Sequence, residues 1–229
     1  MKTSKILFAI TILLFGVLPT ANASSLLGGY DVIIDIGHGG VDPGTFKGNI
    51  LEKDINLAIG KKLYEILQRE SLNVGVTRLN DYALSDDSPF NHIKSRHSKD
   101  LKQRELIAES LGPKVFLSLH VNWSNSGRER GPYVIYQPTN QSYALAHLIQ
   151  EQLNKVYGMS NPPVKGRSYF LIKNIELPSV IIEMGFLSSP HDTNFLLDPK
   201  KQEQISEAIA HAVKEYLLLY PTRNFKENK

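Results

Sequence analysis

The stretch "VIIDIGHGGVDPG" spans residues 32–44 and joins a short apolar run to a histidine surrounded by glycines. A near-continuous run of Val and Ile is typical of a parallel strand that is buried on both faces of its sheet. The stretch therefore predicts a buried strand whose carboxyl end presents His38.

Runs rich in Val and Ile alternate with helical patterns along the rest of the chain, as in α/β domains. The patterns predict strands at 31–36, 73–77, 114–120, 131–137 and 179–184, and helices at 52–70, 100–111, 141–157 and 201–219. We predict a single α/β domain with a mostly parallel or mixed twisted sheet and helices on both faces. The irregular stretch at 79–100 is expected to be an exposed loop that borders the active site.

The first residues, "MKTSKILFAITILLFGVLPTANASS", place two lysines before an apolar run and a small-residue pattern, Ala-Asn-Ala, after it. This order predicts a signal peptide at residues 1–23 and a catalytic domain at residues 24–229. The apolar run at 6–18 is shorter than the ~20 residues that cross a bilayer. We therefore expect export, with no stable membrane anchor after cleavage.

The composition limits the possible functions of the chain. Of its 229 residues, 41% are hydrophobic and 21% charged, which suits an ordinary globular protein with one core. Removing residues 1–23 takes away two lysines and lowers the formal charge from +3 to +1. A nearly neutral chain without a basic stripe argues against nucleic-acid binding. The absence of cysteine excludes disulfides and cysteine metal ligands.

Three ionisable residues stand at the ends of apolar runs. His38 follows "DVIIDIG", His120 closes "VFLSLH" and Glu183 closes "PSVIIE". Because ligand sites in open α/β sheets gather at the carboxyl ends of strands, we expect these side chains to share one edge of the sheet.

Glu52 opens the helix "LEKDINLAIGKKLYEILQRE" and lies on its apolar stripe. At about 100° per residue, Ile59 and Leu63 fall within about 20° of it. A carboxylate that faces the core is costly unless it is paired or binds a metal. An acidic residue in the first turn is also favoured by the helix dipole alone.

Arg104 faces inward in the same way, because it lies between Leu111 and Ala108 on the wheel of its helix. A buried arginine usually pairs with a carboxylate. We favour a structural ion pair for Arg104 over a contact with substrate.

Two histidines and one carboxylate form a donor set that holds catalytic zinc, and His38, Glu52 and His120 fit that set. Their separations in sequence are long, so the residues alone leave open that both histidines are ordinary loop or core residues. For Glu183, the alternative to catalysis is an ion pair with Arg104 or Lys173.

The chain resembles the zinc-dependent N-acetylmuramoyl-L-alanine amidases of the Amidase_3 family from about residue 31 to its end. The matching stretches are "VIIDIGHGGVDPGT", "LEKDINLAIGKKL", "VTRLND", "QRELIA", "VFLSLHVN", "RGPYVIY" and "LPSVIIEMGFLSSPHD". The resemblance implies that His38, Glu52 and His120 bind Zn²⁺ and that Glu183 is the catalytic carboxylate. It also implies hydrolysis, within peptidoglycan, of the amide between N-acetylmuramic acid and L-alanine of the stem peptide.

The chain departs from the family pattern in several places. Ile36 stands where the family usually has proline, and the link at 79–100 is longer than is typical. His92 and His97 in that link have no family counterpart, and we expect them to be solvated. The inhibitory helical insertion that some members carry after "GPYVIYQ" is missing from this sequence, so we expect activity without a separate activator.

The remaining expectations concern place and partners. The short signal peptide, together with the lack of wall-binding repeats, favours the periplasm over the external medium. We expect a monomer that binds peptidoglycan, with a protein partner as one means of targeting. Three alternatives stay open at this point: a zinc peptidase that cuts within the stem peptide, a wall-binding module without catalysis and, as the weakest of them, a sugar deacetylase.

Overall fold

A computed structural model of the chain describes residues 29–166 and 169–221, so the predicted signal peptide at residues 1–23 lies outside the described residues. The strands are β1 Val32–Ile36, β2 Phe46–Lys47, β3 Ile50–Leu51, β4 Val74–Val76, β5 Val115–Asn122, β6 Tyr133–Tyr136, β7 Val164–Lys165 and β8 Ser179–Phe186. The helices are α1 Glu52–Arg69, α2 Arg96–Leu111, α3 Asn140–Tyr157, α4 Phe170–Asn174, α5 Pro190–Leu197 and α6 Pro199–Leu219, with a short 3-10 helix at Leu84–Asp86. None of the helices in these described ranges combines the length and the apolar character that a membrane-spanning helix requires.

The central sheet has the strand order β4-β1-β5-β8-β6-β7. Its first four strands are parallel, whereas β6 runs antiparallel to β8 and parallel to β7. After β1, the chain forms β4 on one side of β1. It then crosses to the opposite side of β1 and forms β5 there. Ligands bind at such a switch point, outside the carboxyl ends of the strands. The order of the strands therefore marks the edge between β1 and β5 as the place for a site.

The two faces of the sheet differ in chemistry. One face carries the larger apolar core, which packs against α1, α3 and α6. The other face has a small cluster of Ile33, Ala108, Phe116, Leu171 and Ile175, to which α2 and α4 contribute. Helices therefore cover both faces, and the predicted fold class is confirmed.

Alternation along the strands assigns the polar side chains to the second face. In β5, Leu117 and Leu119 enter the larger core, so Ser118 and His120 point the opposite way. In β8, Ile182 and Met184 also enter the larger core. Glu183, which lies between them, therefore points to the same face as Ser118 and His120. The period of two residues thus places Ser118, His120 and Glu183 on the face opposite the larger apolar core.

All five predicted strands and four predicted helices are present, with shifted ends. α2 begins at Arg96 rather than at residue 100, because the side chain of Ser95 accepts a hydrogen bond from the backbone amide of Ser98 and caps the helix. The prediction of an exposed loop over 79–100 was wrong in part, since Ala83 and Leu84 are 1% and 5% exposed.

The sequence patterns did not indicate the shortest elements of the fold. β2, β3 and β7 have two residues each, and α4 and α5 have five and eight. Such segments are too short to display a period of two or of 3.6 residues.

Leu63 provides a test of the larger core. Its side chain on α1 is fully buried, so Leu63→Ala is expected to lower the free energy of unfolding by about 2–5 kcal/mol through lost burial and a residual cavity. Leu218→Ala removes a leucine that is 80% exposed and is expected to change stability by less than about 0.5 kcal/mol. Urea denaturation followed by circular dichroism measures both, and equal losses would contradict the assignment of the core.

Candidate active site

Three of the predicted site residues meet at the switch point of the sheet. His38 lies in the loop after β1, Glu52 is the first residue of α1, and His120 lies near the end of β5. One nitrogen or oxygen atom from each of them lies within 4.8 Å of the other two. The fold therefore brings together residues that are far apart in sequence.

The carboxylate of Glu52 lies between the two imidazole rings. Its Oε1 atom is 3.2 Å from Nε2 of His38 and 3.0 Å from Nδ1 of His120. The rings are nearly perpendicular, with centroids 4.9 Å apart. The three side chains thus converge on a common point from different directions.

Glu52 remains ionised although it is only 3% exposed. Burial by itself would raise its pKa, but the hydrogen bonds and charges of His120 and His38 outweigh burial and hold the pKa well below its usual range. Backbone amides of Thr45 and Val121 also donate to its two oxygens, at 2.8 and 3.0 Å. The negative charge is therefore fixed in place.

Asp42 orients the ring of His38 through the nitrogen that does not face Glu52. Its Oδ2 atom is 2.8 Å from Nδ1 of the ring. This contact leaves Nε2 facing Glu52, the arrangement in which a carboxylate orients a metal-binding histidine. Burial lowers the pKa of His38, but hydrogen bonds to Asp42 and Glu52 raise it to about 9. The surroundings of the ring favour a positive charge, which a bound cation would supply in place of the proton.

Glu183 lies beside this group because β8 pairs with β5 in a register that puts it opposite His120. Its Oε2 atom is buried and has no hydrogen-bond partner among the described residues. Burial raises the pKa of Glu183 to about 7, and the charge of Glu52 adds to this against the opposing effect of His120 and His38. The carboxyl group is therefore balanced between its two protonation states near neutral pH.

Arg104 is bound elsewhere, so it is not the partner of Glu183. It is 2% exposed and pairs with Asp35 and Asp100, which confirms the structural ion pair expected for it. The other suggested partner of Glu183, Lys173, is exposed.

Several residues of the site were not singled out by the sequence patterns. Asp42 lies inside the opening glycine-rich stretch, where its spacing of four residues from His38 was a usable signal. Asn56, one turn beyond Glu52 on α1, donates to Glu52 Oε1 at 3.3 Å. Tyr133 on β6 lies opposite Glu183 in the antiparallel register, which the sequence does not reveal.

His92 and His97 are exposed, and neither belongs to the group of three donors.

The donor set fits a catalytic zinc ion. Two imidazoles and one carboxylate without cysteine are typical of catalytic zinc, which keeps a further position open. Ligands of one tetrahedral zinc ion lie about 3.4 Å apart, given bonds of about 2.1 Å. One donor atom from each of the three side chains lies within 4.8 Å of the other two, so the set is close to that separation. Glu183 lies opposite His120 on the neighbouring strand, next to the donor set.

Comparison with known proteins gives a consistent result. A family model described as N-acetylmuramoyl-L-alanine amidase, Amidase_3, matches residues 32–215. The chain is 28% identical over 194 residues to the germination-specific N-acetylmuramoyl-L-alanine amidase of Bacillus subtilis, covering 83% of this chain and 81% of that protein. It is also 31% identical over 201 residues to YqiI of Bacillus subtilis, an uncharacterized protein, covering 86% of this chain and 90% of the other.

Among solved structures, the chain is similar to the CwlD amidase from Clostridioides difficile, determined in complex with the GerS lipoprotein. The TM-score is 0.76 at 34% identity, over 83% of this chain and 99% of that one. The catalytic domain of CwlV from Bacillus (Paenibacillus) polymyxa gives a TM-score of 0.69 at 30% identity, over 81% and 97%.

Gly44 offers a test of the donor geometry. Its φ is +67°, and an added Cβ would lie 2.5 Å from Oε2 of Glu52 and 2.7 Å from Cδ2 of His38. We therefore expect Gly44→Ala to displace the donors and to weaken zinc binding by at least about tenfold, as changes next to metal ligands do. Zinc affinity is measured by competition with a chromophoric chelator.

Gly48 is the matched control, because its φ is +59° and an added Cβ would meet nothing within 4 Å. Gly48→Ala is expected to carry a similar backbone strain of about 1–2 kcal/mol but to bind zinc normally. Equal losses of zinc affinity in the two variants would contradict the geometry described for Gly44.

Proposed function

Because the chain belongs to the Amidase_3 family of N-acetylmuramoyl-L-alanine amidases, we propose that it is a zinc-dependent member of that family. Its reaction is hydrolysis of the amide between N-acetylmuramic acid and L-alanine, which frees the stem peptide from the glycan of peptidoglycan. The observation that carries the proposal is the carboxylate of Glu52 held between His38 and His120. Beside it lies Oε2 of Glu183, which has no hydrogen-bond partner in the described part of the chain.

The metal ligands in this proposal are His38, Glu52 and His120. A bound zinc ion supplies a Lewis acid that polarises the amide carbonyl and makes water acidic enough to ionise near neutral pH. Glu52 contributes a fixed negative charge, and Asp42 keeps Nε2 of His38 directed at the site. These contacts hold the donors in place before any metal or substrate binds.

Glu183 is the proposed general base and general acid. A carboxyl group with a pKa of about 7 can accept a proton from the attacking water and can return it to the amine of L-alanine as the amide bond breaks. The side chain as a whole is half-buried, but its Oε2 atom is buried beside His120, which shields this oxygen from bulk solvent. The same burial explains why the pKa lies near the pH at which the carboxyl group must act.

We also propose export to the periplasm after removal of residues 1–23, with residues 24–229 as the catalytic domain. An enzyme whose substrate is the cell wall has to act outside the cytoplasm, which supports export. We expect a monomer. The CwlD relative was determined with the GerS lipoprotein, and this complex supports a protein partner as one means of targeting for the present chain.

Product analysis tests the reaction. Purified protein is incubated with isolated sacculi, with and without a zinc chelator and with no added protein partner, and the soluble products are analysed by mass spectrometry. We expect chelator-sensitive release of peptides that begin with a free L-alanine amine, and intact glycan strands. Activity without a partner is expected because β6 is followed almost directly by α3, with no inhibitory insertion between them.

Other products would identify a different function. Release of terminal D-alanine or of fragments cut within the peptide would indicate a zinc peptidase. Binding to sacculi without new amines would indicate a wall-binding module. Release that appears only after a second protein is added would contradict the expectation of activity without an activator.

Glu183→Gln separates metal binding from catalysis. The variant keeps the size of the side chain but loses the proton acceptor, so we expect normal zinc content and a decrease in kcat of about 10²–10⁴-fold. Glu176→Gln changes an exposed glutamate on the segment before β8 and is expected to keep full activity. Near-normal turnover by Glu183→Gln would remove this residue from the mechanism.

A further inference from the structure

Two buried arginines contact the loop that carries His38, and neither belongs to the donor set. Arg78 is 1% exposed and Arg104 is 2% exposed. Arg104 is neutralised by two carboxylates. The hydrogen bonds described for Arg78 all go to backbone carbonyl oxygens. Among the described residues no carboxylate forms an ion pair with Arg78, although Asp81 and Asp35 stabilise its charge from a longer distance. A buried guanidinium without a directly paired carboxylate is costly, so its placement calls for a specific reason.

The contacts of Arg78 join the two segments that supply metal donors. Its Nη2 atom donates to the carbonyl oxygen of Gly37 at 3.1 Å and to that of Lys53 at 2.8 Å. Gly37 directly precedes His38, and Lys53 directly follows Glu52. One nitrogen of one side chain therefore spans the backbone next to both donors.

The remaining contacts strengthen this bridge. Nε of Arg78 donates to the carbonyl oxygen of Ile36 at 3.1 Å. The same oxygen accepts from Arg104 at 3.0 Å, and the carbonyl oxygen of His38 accepts from Arg104 at 3.3 Å. Side chains thus hold three successive carbonyl groups of the loop.

The loop needs this support because His38 has a φ of +61°, in the left-handed region that residues other than glycine rarely adopt. A histidine in this conformation returns to a relaxed one unless its surroundings determine it. A relaxed backbone would turn Nε2 away from Glu52. The geometry of the metal donors therefore depends on what holds the carbonyl groups of the loop.

We propose that Arg78 is a positioning residue of the metal centre, which fixes His38 and Glu52 at metal-binding separation by bridging the carbonyl oxygens of Gly37 and Lys53. The inference rests on the proposed zinc centre. Its consequence is that zinc binds to an ordered donor set and does not have to order the loop itself. Arg78 is the arginine of the motif "VTRLND", so the proposal assigns a function to that motif.

Arg78→Met tests the proposal, because methionine keeps an unbranched apolar stem and removes every donor. Chelator competition on the purified protein is expected to show a zinc dissociation constant that is about 10–100-fold higher than in the wild type, the range typical for residues that orient metal ligands. Arg78→Lys is the second variant. A single ammonium group cannot reproduce the planar fork of arginine, so we expect an intermediate dissociation constant.

Leu67→Ala is the control for a general loss of stability. Leu67 is fully buried in α1, about 22 Å from Glu52 at 1.5 Å per residue. The variant is expected to lower the melting temperature but to keep the zinc affinity of the wild type. Cobalt(II) substitution adds a spectroscopic measurement: the visible absorption bands should change in Arg78→Met and should match the wild type in Leu67→Ala.

The possible outcomes are distinct. Wild-type zinc affinity and cobalt spectrum in the Arg78 variants would overturn the positioning role while leaving the zinc centre intact. A loss of zinc affinity in Leu67→Ala equal to that in Arg78→Met would also overturn the role, because it would show a general effect of stability. A wild-type protein that binds no zinc would overturn the metal centre and the role together.

Discussion

The buried carboxylate of Glu52 is the constraint on which the rest of the site depends. At 3% exposure, an ionised carboxylate is tolerated only when its oxygens are fully engaged. The two imidazoles and two backbone amides that engage them come from different parts of the chain. Satisfying this one charge therefore requires β1, α1 and β5 to be correctly placed at the same time, which couples the site to the formation of the sheet.

The division of the sheet into two faces accommodates this polar group. The face covered by α1, α3 and α6 carries the larger apolar core and supplies most of the buried hydrophobic surface, although Gln150 and Ser206 are also buried on these helices. The opposite face contains Asp35, which accepts hydrogen bonds from Ser118 and Thr77 and pairs with Arg104. Buried polar networks of this kind add little net stability. The free energy gained by burying the apolar face therefore offsets the cost of removing these polar groups from water. Separation of the faces allows a disulfide-free chain to carry a buried polar layer.

Sequence patterns were sufficient for some parts of this structure and insufficient for others. The strand ends and the helical wheel indicated that His38, His120, Glu183 and Glu52 would gather at one edge, because periodicity and the parallel sheet follow from local sequence. The patterns alone left the zinc site open, and resemblance to a family supported it. They did not reveal Arg78, since nothing in "VTRLND" shows that its guanidinium reaches carbonyl groups of two other segments. Contacts of this kind depend on tertiary packing.

The catalytic geometry is set more by strand register than by loops. Glu183 lies opposite His120 because β8 and β5 pair in one register, and a slip of one residue would turn Glu183 into the apolar core. The apolar residues on either side of Glu183 oppose such a slip, since it would expose them. The hydrophobic pattern of β8 therefore stabilises the sheet and also selects the position of the carboxyl group. The long segment after β4 supplies neither of these two side chains, so the pairing of β5 with β8, rather than this segment, sets the positions of His120 and Glu183.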